Sequence, residues 1–256
     1  KKQDRPFLGA GVLAGLITVP IGCIAGGLVM NMTSLKMDIV SILRNLIPVI
    51  IIAGIICICL WFFPGKMING FNKFGTGVTV VITVLTAIAV FQYQTKIEFP
   101  LFNIMVTPDG DGVIPLESGL LVCGQIAIVL IGAFPMVAWI TKHFGKALGK
   151  LGSMMGMDGE GSAGMVATLA NNIAMFNIMD KMNDKSKLLN VAFAVSAAFV
   201  FGDHLGFAAR ANNEMIFPMI VGKLVAGITA LILANLLSPK LLAKIEITRA
   251  EMEKDD

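Results

Sequence analysis

Asp203-His204 interrupts a long apolar run, Leu188–Ala209, with Phe199 and Phe201 just ahead of it and Phe207 just behind. A carboxylate beside an imidazole can hold a cation or pass a proton, since histidine titrates close to neutral pH. Either charge is costly at bilayer depth, about 2.5–3.5 kcal/mol on insertion scales, so intramembrane ionisable residues are functional candidates by default. A second polar group, Asn171-Asn172, lies in a run of small residues, Gly161–Met179. Lys223 is the one basic residue inside the last apolar stretch.

The rest of the chain supplies no competing chemistry. Cys23, Cys57, Cys59 and Cys123 all lie within apolar stretches, and no histidine stands near Cys57-Ile58-Cys59, so neither a disulfide framework nor a metal site is expected. Pro108-Asp109-Gly110-Asp111-Gly112 begins like a calcium loop, but Val113 falls at a ligand position and no glutamate closes the frame. The glycine-rich stretch 152–161 lacks the Lys-Ser/Thr of a phosphate loop. His143, next to Lys142, reads as an interfacial residue. No serine–histidine–acid set is present, so the chain is not read as an enzyme and no cofactor or nucleic acid is expected.

The elements that must position these residues are membrane helices. The 256 residues are 56% hydrophobic and 14% charged, with mean hydropathy +0.81. Soluble domains carry about 25% charged residues. Six stretches approach or exceed the roughly 20 residues that cross a bilayer: Phe7–Met30, Leu46–Phe63, Phe74–Tyr93, Ser118–Thr141, Leu188–Ala209 and Met215–Ser238. The spacings Gly11–Gly15 and Gly22–Gly26 suit close helix packing. Pro20, Pro48, Pro135 and Pro218 suggest kinks.

Basic residues decide whether Gly161–Met179 is a seventh crossing. If it crosses, alternate loops carry nine and ten Lys and Arg, which is no bias. If it does not, only Lys36, Arg44, Lys96 and Arg210 fall on one side, Lys223 lies within a span, and the other fifteen of the 20 share the opposite side. The positive-inside rule demands such asymmetry. The expected fold is therefore an all-α polytopic membrane protein. It has about six transmembrane helices and one re-entrant, broken segment tipped by Asn171-Asn172. Both ends are expected in the cytoplasm, and the loop bearing Glu98, Asp109, Asp111 and Glu117 outside. Residues 1–256 read as one integral membrane domain, with 239–256 as a cytoplasmic tail. Arg210 on the external side places Asp203 toward the outer end of its helix.

Three stretches carry a family resemblance: Gly164-Met165-Val166-Ala167-Thr168-Leu169-Ala170-Asn171-Asn172, the run 190–207 that ends Phe201-Gly202-Asp203-His204-Leu205-Gly206-Phe207, and Glu214-Met215-Ile216-Phe217-Pro218-Met219-Ile220-Val221-Gly222-Lys223-Leu224. They resemble the ethanolamine utilisation permease family, EutH, as do Leu13–Pro20 and Gly132–Pro135. The resemblance implies a bacterial inner-membrane transporter of ethanolamine, linked to a catabolic operon that feeds a microcompartment. It also implies that this chain is a C-terminal portion, with an N-terminal part absent, and leaves homo-oligomerisation open.

Given that substrate, the residues suggest a site. Ethanolamine at neutral pH is a small cation with a hydroxyl. It calls for a carboxylate, an aromatic face and an amide: Asp203 for the ammonium, Asn171 or Asn172 for the hydroxyl, Phe199 or Phe207 as wall, His204 alongside. Two other roles stay open, a structural Asp203-His204 pair with Lys223 as counter-ion, and proton coupling through His204. So do two other classes, a channel-like facilitator and a structural membrane protein that transports nothing.

Overall fold

The computed structural model describes residues 4–254, except the side chains at 129, 130, 133, 134, 136, 137, 140, 141, 144, 145, 147, 148, 151 and 251–254. Residues 1–3, 255 and 256, at the ends of the expected leader and tail, lie outside it. Among the described residues nine α-helices follow one another: α1 Arg5–Met30, α2 Ile39–Phe62, α3 Pro64–Thr95, α4 Pro115–Met154, α5 Gly159–Thr168, α6 Asn172–Ile178, α7 Asp184–Ala197, α8 Asp203–Ala211 and α9 Ile216–Lys254. Among the described residues there is no strand. Among the described residues four helices, α1, α2, α3 and α9, are long and apolar enough to cross a membrane, and the start of α4 is a shorter apolar helix.

Contacts at the helix ends trace the path of the chain through the bundle. At one end, here end A, Lys187 at the start of α7 meets Asp4 before α1, at 2.8 Å. At the same end Arg249 on α9 meets Asp184 on α7, at 3.1 Å. Lys240 on α9 also reaches the Trp61 carbonyl at the close of α2. At the opposite end, end B, Glu214 before α9 accepts from the Ser34 backbone after α1, at 2.7 Å, and Tyr93 on α3 donates to Glu117 on α4, at 2.7 Å. α1 to α4 thus pass alternately between the ends, α7 with α8 makes a fifth pass and α9 a sixth. α9 does not stop at Pro239; the same helix runs on through the stretch expected as a tail.

The core is built on small residues. Ideal Cβ positions at Gly11 and Gly15 would lie within 2.6–2.7 Å of Val191 and Val195 on α7, while Gly22 meets the backbone of Gly222 on α9. α1 is thus sandwiched between α7 and α9, which accounts for both expected glycine spacings. Thr18 Oγ1 sits at this contact, donating to Gly15 O at 2.8 Å and to Ala226 O at 3.1 Å. Pro20, Pro48 and Pro135 lie inside α1, α2 and α4. Pro218 instead occupies the first turn of α9, where the missing N–H has no helical partner to lose, so the expected kink there does not arise.

α5 and α6 form a hairpin. Its two ends are joined directly, because the Asp158 carboxylate accepts from Gly161 N (2.7 Å) and Ser186 Oγ (2.9 Å) and from the Asn183 backbone N–H. α5 has 10 residues, roughly 15 Å at 1.5 Å per residue, half of a 30 Å hydrocarbon core. The segment therefore enters from end A, turns at Leu169–Asn171, and returns to end A. The expected helix Leu188–Ala209 is not continuous: it breaks between Ala197 and Asp203. The physical cause lies at the hairpin tip.

Candidate functional site

The tip of the hairpin meets the break between α7 and α8. Phe199 N–H donates to the Thr168 carbonyl (3.1 Å) and Phe201 N–H to the Leu169 carbonyl (2.9 Å). Each unwound stretch thus satisfies part of the other, as broken helices at membrane depth must when no water reaches them. Phe199 sits at φ 58°, the left-handed region, which is uncommon for a residue with a Cβ. Its carbonyl then accepts from Gly202 N (3.0 Å) and His204 N (3.2 Å), starting α8. Two interrupted helices crossing at one depth is the arrangement in which transporter sites are built.

Three polar side-chain atoms near this crossing are buried and make no hydrogen bond: Thr168 Oγ1, Asn172 Oδ1 and Ser196 Oγ. Thr168 is fully buried and Ser196 is 7% exposed. None but Asn172 was expected from the sequence. Asn171 has a local task, its Oδ1 capping α6 at Ile173 N (2.7 Å).

Asp203 is the first residue of α8, half-buried, where a carboxylate is favoured by the helix dipole. It has no hydrogen bond or ion pair among the described residues, so it is not held as a structural cap. α8 has nine residues, so Asp203 lies roughly 14 Å from its far end. The His204 ring stands edge-on to Phe199, centroids 5.7 Å apart at 68°. Phe199 itself is partly buried against the core. Phe207 is 56% exposed, and His204 is exposed as well. Lys223 makes no ion pair with Asp203. Together with Ser196 it lines a cavity of about 520 Å³ between α1, α2, α7 and α9.

Behind the crossing, the bases of both broken helices are fixed at end A. Burial pushes the Asp158 carboxyl up, but the Asn183 and Gly161 N–H groups and the Ser186 hydroxyl outweigh it and hold the acid below its ordinary value. Asn190, fully buried on α7, donates through Nδ2 to Gly161 O at 2.9 Å and so staples α7 to α5. For Asp4 burial acts upward too, and the Lys187 ammonium overcomes it. Among the described residues no cluster of three or more His, Cys, Asp or Glu could hold a metal ion.

The chain is matched over residues 1–237 by the family described as "Ethanolamine utilisation protein, EutH". It is 45% identical, over its whole length, to the protein of Listeria monocytogenes named "Probable ethanolamine permease EutH", of which it covers 65%. It is 46% identical over 98% of its length to the Escherichia coli protein of the same name, covering 64% of it. It is also 40% identical, over 95% of its length, to the "Uncharacterized protein YxeR" of Bacillus subtilis, covering 62%. The chain therefore spans just under two thirds of the curated relatives it matches. No solved structure matches it. Matched along nearly all its length by one family model and by two EutH proteins at 45–46% identity, the chain belongs to the EutH family.

Proposed function

We propose that this chain forms the substrate-bearing part of an ethanolamine transporter, rather than an enzyme, in the bacterial cytoplasmic membrane. The observation that carries the reading is the crossing of two broken helices, lined by Thr168 and Asn172 with unused acceptor atoms and started on one side by the unpaired Asp203. An ethanolammonium ion has complementary groups. Its ammonium pairs with Asp203 and its hydroxyl exchanges hydrogen bonds with Asn172 and Thr168. The faces of Phe199 and His204 supply an aromatic wall. The names of the relatives support the same substrate. End A, which gathers most of the lysines and arginines, is the cytoplasmic end in this reading.

The test is uptake of labelled ethanolamine by the full-length protein in proteoliposomes, with a proton gradient on and off. Asp203→Asn is expected to lower uptake at low substrate concentration by at least 100-fold, as loss of a charged partner at a shielded site does. Uptake at the parental rate by that variant would falsify the assignment. Accumulation against the concentration gradient separates a pump from a channel-like facilitator, which only equilibrates.

A further inference from the structure

Where the joint between α2 and α3 meets α9 at end A, a cavity of about 370 Å³ opens, lined among others by Phe62, Phe63, Lys66, Asn69 and Lys244. Its lining contains no aspartate or glutamate. One turn earlier on α9, Lys240 lies over the Trp61 ring, 4.3 Å from its centroid. Trp61, Phe62 and Phe63 are each more than half exposed. α2 has 24 residues, roughly 36 Å long, so its last turn lies at the edge of a 30 Å hydrocarbon core. Three lysines and three open aromatic rings therefore share one spot at the membrane boundary. Among the described residues Lys66 and Lys244 form no ion pair.

We infer that this pocket binds the headgroup of an anionic phospholipid. The phosphodiester fits between the Lys66 and Lys244 ammonium groups, with the Asn69 amide as a further donor. The exposed rings cover the glycerol and the first carbons of the acyl chains, the level at which aromatic residues settle. A zwitterionic lipid brings its own cation into the same pocket and is disfavoured. Basic pockets between membrane helices are suited to such headgroups. This inference is independent of the substrate site, so failure of one leaves the other standing.

The test uses the full-length protein in nanodiscs of phosphatidylglycerol and phosphatidylcholine in equal amounts, followed by native mass spectrometry of the lipids it retains. Phosphatidylglycerol is expected to be retained preferentially, and the K66Q/K244Q double variant to lose about 30-fold of that preference. The K66R/K244R variant is expected to keep it, which also guards against a folding defect. Equal retention of the two lipids, or an unchanged preference in K66Q/K244Q, overturns the proposal. So does displacement of the lipid by soluble glycerol phosphate at equal concentration, because the pocket would then select the anion without the membrane lipid.

Discussion

A buried hydroxyl that makes no hydrogen bond costs the folded state roughly 1–3 kcal/mol, and Thr168 Oγ1 is such a group at the tip of the hairpin. Other threonines of the chain show what a threonine does by default. Thr76, Thr79, Thr83 and Thr229 each donate to the carbonyl four residues back, at 2.8–3.0 Å, the local bond available to any helical threonine. Thr168 forgoes that bond where α5 ends. Thr168→Val keeps the branched shape and removes only the hydroxyl, so thermal unfolding is expected to be unchanged or to shift upward. The apparent affinity for ethanolamine is expected to fall about 10-fold, the loss of one hydrogen bond. A variant that unfolds earlier and transports normally would make Thr168 a structural residue. Nothing in the sequence marks Thr168 out. A lone threonine or serine in an apolar helix is ordinarily bonded to its own backbone, and only the three-dimensional break takes that partner away.

At the scale of elements, the hairpin and the α7–α8 break form one unit held at two places: the paired backbones at the tip and the Asp158 clamp at the base. The hairpin was legible in the sequence, because its residues are small and polar and a seventh crossing would divide the lysines and arginines evenly, nine against ten. The break was not. Ala197-Ala198-Phe199-Val200-Phe201 has the composition of an uninterrupted helix, and Phe199 adopts φ 58° because the Thr168 and Leu169 carbonyls, distant in sequence, take the N–H groups of Phe199 and Phe201. Gly202 and Asp203 were the only local hints. The clamp has a consequence for pH. The Asp158 acid is held below its unfolded value, so its stabilisation is present in full above the ordinary carboxylate range. It is lost as pH falls through the lower folded value. Thermal unfolding of the purified protein is expected to lose stability from about pH 4 downward. Asp158→Asn is expected to be less stable at pH 7 and to show a shallower acid dependence. A parallel pH profile for variant and parent would remove the clamp from this account.

The whole molecule turns on one count, made first from charges and then from contacts. Fifteen lysines and arginines on one side against four on the other required six passes and a hairpin. The contacts at the helix ends trace the same six passes, with the leader, the α2–α3 joint, the α4–α5 joint, the α6–α7 joint and α9's far end together at end A. These are independent lines, since charge bias reflects insertion while contacts reflect packing. Together they make a sharp prediction. In a cysteine-free background, single cysteines at Lys146 and Lys185, which flank the hairpin, are expected to react with a membrane-impermeant maleimide from the same face. Cysteines at Lys96 and Arg210 are expected to react only from the opposite face. In whole cells the second pair should be labelled and the first protected until the membrane is opened, as follows from the proposed cytoplasmic placement of end A. Labelling of Lys146 and Lys185 from opposite faces would turn the hairpin into a crossing. It would also reverse α7, α8 and α9 in the membrane, which the Asp4–Lys187 pair and the Lys240–Trp61 contact do not permit.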